Sequence, residues 1–379
     1  MAGGEDGNAN NMIYLDYQAT TALAPEVAEA MTNVMAHYGN PNSAHRIGRT
    51  AAADAELARD RVRAALGRPR GRLIFTSGAT EALNIAIHGA ARTAPAGRRR
   101  VVTLASEHHA VLDTVMALRH EGFEPVILPV GADGLVDLDI AEAAIDERAA
   151  LLAVMQVNNE IGVMQPLDAL IGIARAGGVP VLCDAVQGFG KFPTPDADMV
   201  AITAHKMHGP KGVGALWMRE GLELPPFMHG GGQEDGIRPG TLSPMLCAGF
   251  GVAAELAAAR READLAHVET LWERALALFA EWRVNGSLTE RYHGNLNLRR
   301  PGLDAARLLS QVRTVALSLG SACSSGTGRP SHVLKAIGLG DADARGALRL
   351  GFGRYTTLDE LEEAAALINE AAAMQRAVA

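Results

Sequence analysis

The sequence predicts an α/β protein with a large, mainly parallel sheet and a smaller α+β region. Through the middle of the chain, short apolar runs bounded by Gly and Pro alternate with helix-like stretches, which favours parallel strands covered by helices on both faces. The alternation stops after Pro244. A length of 379 residues also exceeds one ordinary core and suits two domains.

The alternating part sets out the elements of the large sheet in order. We predict strands at 73–76, 101–104, 125–128, 151–155, 179–183, 199–202 and 214–218. The intervening stretches have helical character, and we predict helices at 81–92, 110–120, 138–148 and 167–175.

The region after Pro244 begins with a long alanine-rich stretch, which predicts a connecting helix from about Met245 to Trp282. Beyond it we predict strands at 294–298 and 349–352 and helices at 303–312, 333–337 and 358–376, with a cysteine-containing loop among them. The sequence therefore predicts a large domain over 14–254. The small domain takes 1–13 and 255–379 and carries the cysteine loop.

Composition excludes several classes of protein. Apolar residues make up 48% and charged residues 21%, which is typical of a soluble globular protein. The net charge of −8 comes without a basic stripe, so nucleic acid is not an expected partner. The opening residues 1–8 are polar and acidic, and no apolar stretch has the length of a membrane span. We expect a cytoplasmic protein that does not bind a membrane.

Three cysteines are present without C-x-x-C spacing, so neither a disulfide framework nor a metal site is indicated. Cys183 and Cys247 stand among apolar and small residues, and we predict that both are unreactive core residues. Cys323 differs because it lies in a loop rich in Gly and Ser, where an exposed thiol is costly to keep unless it is used. An incidental loop cysteine is the alternative.

Lys206 and Asp184 are the most informative pair in the chain. Each follows or ends an apolar run, so the two predicted strands present them at their carboxyl ends, the edge where open α/β sheets bind ligands. Pyridoxal phosphate (PLP) requires a lysine for its Schiff base and a carboxylate that holds a proton on its ring nitrogen. The pair therefore predicts a PLP site. The alternative is that Lys206 is a solvated surface lysine and that Asp184 caps a helix.

A phosphate cradle is predicted where the first strand of the large sheet turns into a helix. The segment 76–81 places Gly78 and small residues there, so backbone N–H groups and hydroxyls can face an anion at the helix N-terminus. Ser77 or Thr80 could equally be an ordinary N-cap. Thr203 and His205 can add donors beside the lysine, and a glycine-rich loop at 230–234 can bring Arg238 and Thr241 towards an anion.

Other polar residues are predicted at the same edge of the sheet. His108 follows the strand at 101–104, where an imidazole can stack on the cofactor ring or move protons. Asn159 follows the strand at 151–155 and offers an amide. Arg349 begins a late strand, and its guanidinium can clamp a substrate carboxylate, although a surface salt bridge is the plain alternative.

Taken together, the motifs resemble the cysteine desulfurases of the NifS/IscS type, in the class-V aminotransferase family of PLP enzymes with the aspartate-aminotransferase-like fold (fold type I). The matching stretches span nearly the whole chain in the family's order. They are 14–21, 39–43, 75–81, 106–111, 157–162, 184–187, 205–206, 238–241, 320–324 and 353–357.

The resemblance implies conversion of L-cysteine to L-alanine, with the sulfur taken by Cys323 as a persulfide. A protein acceptor, either an iron–sulfur scaffold or another carrier for sulfur-cofactor biosynthesis, would then receive it. Lys206 would be the Schiff-base lysine and proton shuttle, and Asp184 the partner of the ring nitrogen. His108 would stack on the ring and act in acid–base steps.

The remaining roles also come from the resemblance. Gln187 would bond to the phenolic oxygen of the cofactor. Asn159 would contact the cofactor and, with Arg349, bind the substrate carboxylate. The phosphate would be held by the following residues, the last from the other subunit of a homodimer: Ala79 (through its backbone), Thr80, Thr203, His205 and Thr241.

Two departures from the family pattern are minor, namely Gln18 in place of a smaller polar residue and Thr203 in place of serine. A third is that the chain stops soon after its closing helix, which predicts that the family's usual scaffold-docking extension is lacking and leaves that partnership open. Two alternative functions stay open. One is another PLP chemistry, such as an aminotransferase or selenocysteine lyase, and the other is a non-enzymatic binding or sulfur-relay subunit.

Overall fold

The computed structural model describes residues 12–319 and 330–377. The helices of this part are α1 (Pro25–Met35), α2 (Arg46–Ala65), α3 (Ala79–Thr93), α4 (His109–Ala117), α5 (Leu138–Ala144), α6 (Leu167–Ala176), α7 (Pro244–Leu278), α8 (Ala305–Gln311), α9 (His332–Ala336), α10 (Asp341–Arg345) and α11 (Leu358–Ala377). Short 3₁₀ turns lie at Leu118–Glu121, Ala204–Lys206 and Gln233–Gly236. Among these described residues, no helix has the length and apolar character needed to span a bilayer.

The strands form one large sheet and two small ones. They are β1 (Ile13–Tyr14), β2 (Arg72–Thr76), β3 (Arg100–Leu104), β4 (Glu124–Leu128), β5 (Ala149–Met155), β6 (Val181–Asp184), β7 (Met199–Thr203), β8 (Gly214–Met218), β9 (Arg283–Val284), β10 (Asn295–Arg299), β11 (Val315–Ala316), β12 (Ser318–Leu319) and β13 (Ala347–Gly351).

The large sheet has seven strands in the order β2-β8-β7-β6-β5-β3-β4. All neighbours are parallel except β8, which runs antiparallel to both β2 and β7. The prediction of a mainly parallel α/β sheet is confirmed. The connection from β7 to β8 is short and contains no α-helix, which explains the exception, because a parallel crossover needs a dozen or more residues. Lys206 lies in that connection.

Side chains on the two faces of this sheet pack into two separate cores. On β5, Leu152 and Val154 join the core beneath α2 and α7, whereas Leu151 and Ala153 join the core beneath α3 and α4. Burial on both faces explains why these strands appear in the sequence as continuous apolar runs. The functional groups are therefore left to the strand ends.

The smaller region is built on an antiparallel sheet in the order β12-β13-β10-β9, with α11 and the far end of α7 packed against it. Helix α7 joins the two regions, because Phe250 and Ala257 belong to a core of the large sheet and Leu271 to the core of the small one. Ile13, in β1, joins the small core as well. The boundary predicted at 254 falls within α7, and the division into 14–254 and 1–13 with 255–379 stays a proposal.

Several boundaries differ from the prediction for local reasons. The strand predicted at 179–183 begins only at Val181, because Pro180 has no N–H to contribute to the sheet. The helix predicted at 138–148 ends at Ala144, where the chain must turn into β5. Helices α1 and α2 were not predicted, although the Ala- and Arg-rich composition of α2 is typical of a helix.

Candidate active site

Asp184 and Lys206 lie at the same edge of the large sheet. Asp184 is the last residue of β6 and stands in register with Ala201 of β7. Lys206 ends the 3₁₀ turn that directly follows β7. Both side chains line one cleft of about 640 Å³ at the carboxyl ends of the parallel strands.

Asp184 is a buried carboxyl group at the floor of this cleft, with 6% of its surface exposed. Its Oδ1 accepts a hydrogen bond from the N–H of Val186 at 3.0 Å. Burial raises the pKa of Asp184 to about 6, although that hydrogen bond and the charge of Lys206 act in the opposite direction. A second cation beside this carboxyl group would favour its ionised form.

The Lys206 amine is held against the segment that follows β1. Its Nζ donates to the backbone carbonyls of Gln18 and, at 2.8 Å, of Ala19. The Gln187 amide donates to the same Gln18 carbonyl at 3.0 Å. The backbone at Gln18 therefore organises two residues of the cleft, a contact that strand-and-helix patterning does not reveal.

His108 is the N-cap of α4, and this position selects its tautomer. Its Nδ1 accepts a hydrogen bond from the N–H of Ala110 at 3.1 Å, so the neutral ring carries its proton on Nε2. Burial and, to a lesser degree, the charge of Lys206 lower the pKa of His108 to about 4. The imidazole in the cleft is therefore neutral near pH 7.

The predicted phosphate cradle is the N-terminus of α3. Gly78 precedes the helix without a side-chain cap, and Ala79 and Thr80 open it, so their backbone N–H groups lack intrahelical partners. The cradle abuts the start of β8, where a Cβ on Gly214 would stand 2.7 Å from the Gly78 carbonyl carbon. A helix N-terminus that lines a cleft favours an anionic ligand.

Glu81 already occupies one N–H group of the cradle, that of Ser77. Its carboxylate accepts the Ser77 N–H at 2.5 Å and pairs with Arg238 at 2.9 Å. Arg238 therefore lies in a salt bridge with Glu81, whereas the sequence predicts a loop that brings it towards an anion.

Thr203 and His205 face the cradle across the cleft. The Thr203 hydroxyl donates to the carbonyl of Val213 at 3.1 Å, so it must rotate to donate to an anion. The His205 Nδ1 lies 3.2 Å from the Thr20 hydroxyl. Burial and the charges of Lys206 and Lys211 lower the pKa of His205 to about 4. A bound dianion would oppose that shift.

Arg349 lies on the opposite side of the cleft, on β13, with 1% of its surface exposed. It donates to Asp16 Oδ1 at 2.7 Å and to the Asn159 carbonyl at 3.1 Å. Ser318 donates to the same Asp16 oxygen at 2.9 Å. The alternative for Arg349 was a surface salt bridge, but its ion pair with Asp16 leaves the guanidinium buried. Arg349 also lines the cleft, beside Asn159.

The cleft thus has two walls. We call the first the cofactor wall, formed by Thr80, His108, Asp184, Thr203, His205 and Lys206. We call the second the substrate wall, in which Asn159 and Arg349 line the cleft. It includes the residues that support these two, namely Asp16 and Ser318, which are linked to Arg349 by hydrogen bonds, and Glu160 with its partner Ser331.

Thr241 is exposed and does not line the cleft of its own chain. Cys323 lies outside the described residues. Asp16 and Gln18 lie within a motif that resembles the family, but the role of neither could be predicted from the sequence.

The residues present fit PLP. The cofactor has a phosphate, a basic ring nitrogen and an aldehyde, and the cleft offers a helix N-terminus, a buried carboxyl group and a lysine amine. Its volume of about 640 Å³ is within the range usual for ligand pockets. In the described part of the chain, no cluster of three or more His, Cys, Asp or Glu side chains could hold a metal ion.

The fold and the site together define a PLP-dependent enzyme with the aspartate-aminotransferase-like fold. Residues 13–363 match the family described as aminotransferase class-V. A relative from Rickettsia felis, named cysteine desulfurase IscS, is 41% identical over 373 residues, which cover 95% of this chain and 91% of the relative. A second, from Rickettsia rickettsii and of the same name, is 42% identical and covers 94% and 90%.

Solved structures agree with these relatives. A NifS-like protein superposes with a TM-score of 0.90 at 32% identity and covers 96% of this chain and 100% of its own. A structure described as SspA in complex with cysteine superposes with a TM-score of 0.80 at 33% identity and covers 91% and 99%. The chain therefore belongs to the aminotransferase class-V family, within its group of cysteine desulfurases.

Proposed function

We propose that this protein is a PLP-dependent cysteine desulfurase. It converts L-cysteine to L-alanine and takes the sulfur onto Cys323 as a persulfide. The observation that carries the proposal is a single cleft that brings Arg349 to the same space as Lys206 and Asp184. A carboxylate clamp opposite a PLP lysine is suited to an α-amino acid, and the relatives named cysteine desulfurase support cysteine as that amino acid.

Each part of the cofactor wall would hold one part of PLP. The backbone of Ala79 with Thr80, Thr203 and His205 would hold the phosphate, while Gln187 and Asn159 would contact the ring substituents. Asp184 would keep a proton on the ring nitrogen, and Lys206 would bind the aldehyde carbon. When bound, PLP draws electrons away from the substrate Cα, so that the Cβ–S bond can break.

Proton movements belong to Lys206 and His108. The Lys206 amine would take the proton from the substrate Cα and return protons to the carbon skeleton of alanine. His108 presents Nε2–H because Ala110 occupies its other nitrogen. A neutral imidazole of this tautomer would donate a hydrogen bond from Nε2 to the group that exchanges protons with Lys206, without carrying charge into the cleft.

Arg349 and Asn159 would bind the substrate carboxylate. The Arg349 guanidinium is anchored by Asp16 on one nitrogen and by the Asn159 carbonyl on the other. A guanidinium has five N–H donors, so donors remain for a substrate. The anchored side chain would orient the substrate at little further cost in side-chain entropy.

Sulfur transfer would use the Cys323 thiolate. Its sulfur bonds to the substrate sulfur as the substrate Cβ–S bond breaks, and a proton completes the alanine methyl group. Cys183 and Cys247 are fully or nearly buried, and burial raises the pKa of both thiols. Neither thiol is suited to this reaction. The persulfide would then pass to a protein acceptor, an iron–sulfur scaffold or another sulfur carrier.

A homodimer is the proposed assembly, because Thr241 would serve the phosphate site of a second copy. Exposed apolar side chains near α1 and α2 support such a contact, since Met35 is 66% exposed and Tyr38 83% exposed. Light scattering should give the mass of a dimer, and Tyr38→Asp should weaken it. A native protein that is monomeric at micromolar concentration would contradict the assembly.

The cytoplasm is the proposed compartment. A thiol that carries sulfur as a persulfide needs a reducing environment to be regenerated, and the chain shows no disulfide framework. Fractionation of the native host would test this placement.

The deciding experiment measures alanine and sulfide released from L-cysteine in the presence of a thiol reductant. The native protein, Cys323→Ala and the matched control Cys247→Ala are compared, and the visible absorbance of each records bound PLP. We expect equal amounts of both products from the native protein and from the control. Cys323→Ala should retain PLP and release no sulfide.

Two results would contradict the proposal. Sulfide release by Cys323→Ala at the native rate would show that another group takes the sulfur. Selective turnover of selenocysteine, or transamination without sulfide release, would assign the cleft to another PLP chemistry.

A further inference from the structure

A second, smaller cavity lies directly behind the cofactor cleft. The two share Gln18, Gln187 and Lys206 as a common wall. The small cavity measures about 50 Å³, enough for about three water molecules. Its most unusual lining group is the amine of Lys191, which the proposed mechanism does not use.

The chain folds back after β6 to bring Lys191 under the cleft. The N–H groups of Gly188 and Phe189 donate to the Ala185 carbonyl at 3.1 and 2.7 Å, and that of Lys191 donates to Gly188 at 2.9 Å. Gly190 has a φ of +80°, and a Cβ there would lie 2.8 Å from Ala257 Cβ on α7. Glycine at 190 therefore permits both the turn and the close approach to α7.

The Lys191 amine joins the backbones of two cofactor-site residues. Nζ donates to the carbonyl of Gln187 at 3.0 Å and to the carbonyl of Lys206 at 3.2 Å. It also stands 5.6 Å from the centre of the Tyr292 ring. Carbonyl oxygens and an aromatic face thus hold this amine, in a position where an uncharged side chain would be cheaper to bury.

Several charged groups face the same cavity. Burial and then the positive charges of Lys206 and Arg354 lower the pKa of Lys191 to about 7, while Asp264 acts in the opposite direction. Asp264 is itself paired with Arg354 at 2.7 Å. The other titratable groups that line the cavity are Arg261, His208, Tyr17 and Tyr292. Lys191 is therefore an amine at a site where burial disfavours its charged form.

We propose that Lys191 is a positioning residue for the cofactor site. By donating to both carbonyls it fixes the backbone from which the Gln187 amide and the Lys206 side chain extend. In its charged form, which predominates below about pH 7, it also disfavours a second positive charge on the nitrogen of Lys206. The inference rests on the proposed function only in taking PLP as the group that Lys206 holds.

The test uses full-length protein loaded with PLP. Lys191→Met removes the charge and the donors at similar length, and Lys191→Arg keeps both, with the adjoining cavity as room for the longer side chain. Lys335→Met is the control, because Lys335 is an exposed partner of Asp341. Each variant is titrated from low to high pH by the visible absorbance of bound PLP, and kcat and KM are measured for L-cysteine.

We expect the absorbance midpoint of Lys191→Met to rise by up to about one pH unit, because loss of a cation that is present below about pH 7 favours the protonated form of the Lys206-linked nitrogen. Its kcat should fall about tenfold, which corresponds to a 1.4 kcal/mol change, while KM stays within about twofold. Lys191→Arg should restore the midpoint and most of kcat, and Lys335→Met should match the native protein.

A folded Lys191→Met whose midpoint and kcat match those of the native protein would overturn the inference. So would a Lys191→Arg variant as impaired as Lys191→Met. If Lys191→Met does not fold, Lys191→Gln replaces it and is expected to show the same shift in midpoint; an unshifted midpoint would again overturn the inference. The absorbance titration needs no turnover. It can therefore be interpreted even if the native protein shows no desulfurase activity.

Discussion

The cofactor wall and the substrate wall of the cleft handle charge in different ways. On the cofactor wall, burial lowers the pKa of both His108 and His205 to about 4, so both imidazoles are neutral near pH 7. On the substrate wall, the guanidinium of Arg349 is 1% exposed and keeps a carboxylate partner, Asp16.

The difference follows from what each wall does. A histidine that serves as a hydrogen-bond donor to the cofactor can stay neutral, so its burial needs no carboxylate partner. Binding of a carboxylate needs a permanent cation, which can be buried only with a partner. The predictions below separate the two walls, beginning with the largest expected effect.

Replacement of Lys206 by Ala should break the chemistry of the cofactor wall. We expect kcat to fall about 10⁴-fold, the upper range for loss of a general acid–base group. The substrate wall should remain intact, so the variant should still bind L-cysteine, as calorimetry on PLP-loaded protein would show. Activity within tenfold of the native value would contradict the role of Lys206, and Lys335→Ala serves as the surface control.

Arg349→Gln should damage the substrate wall selectively. Loss of the buried cation should lower kcat/KM about 10²–10³-fold, mainly through KM, because a buried charged hydrogen bond contributes several kcal/mol. The absorbance of bound PLP should be unchanged, since Arg349 makes its contacts with Asp16 and Asn159. A large change in kcat at unchanged KM would place Arg349 in the chemistry instead.

Glu160 allows a test by pH, because burial raises its pKa to about 7 against its hydrogen bond with Ser331. The folded protein keeps this proton between about pH 4.5 and 7, whereas the unfolded chain has lost it. The free energy of unfolding therefore falls as the pH rises through this window. Glu160→Gln removes that loss and should gain up to about 3 kcal/mol over the native protein by pH 8.

Denaturant unfolding of native protein and Glu160→Gln at pH 5 and pH 8 measures this difference. Ser331→Ala sharpens the test, because loss of its hydrogen bond should raise the pKa of Glu160 further and extend the fall in stability to higher pH. A stability difference that does not vary with pH would contradict the prediction.

Ser318→Ala should have the smallest effect. It removes the second donor to Asp16 and leaves the ion pair with Arg349 in place. We expect KM for L-cysteine to rise by less than about fivefold, consistent with about 1 kcal/mol for one hydrogen bond. Ser310→Ala, whose hydroxyl makes an exposed local bond to Arg307, is the matched control. A rise as large as that of Arg349→Gln would mean that Asp16 depends on Ser318 for its position.

Much of the cofactor wall could be predicted from local sequence. Asp184 ends a buried strand and Lys206 follows the next one, so apolar runs alone place both at one edge of the sheet. The same reasoning located His108 after β3 and the cradle after β2. It gave no indication of the tautomer of His108, which depends on the N–H of Ala110.

The sequence by itself determined the α/β class, the PLP residues at the strand ends and the resemblance to cysteine desulfurases. These features depend on periodicity and on short motifs, which act over a few neighbouring residues. Tertiary structure alone decided that Asp16 pairs with Arg349, 333 residues away, and that Lys191 holds the carbonyl of Lys206. The physical reason is that contacts between distant segments depend on how the two cores pack, and no local pattern of residues encodes that packing.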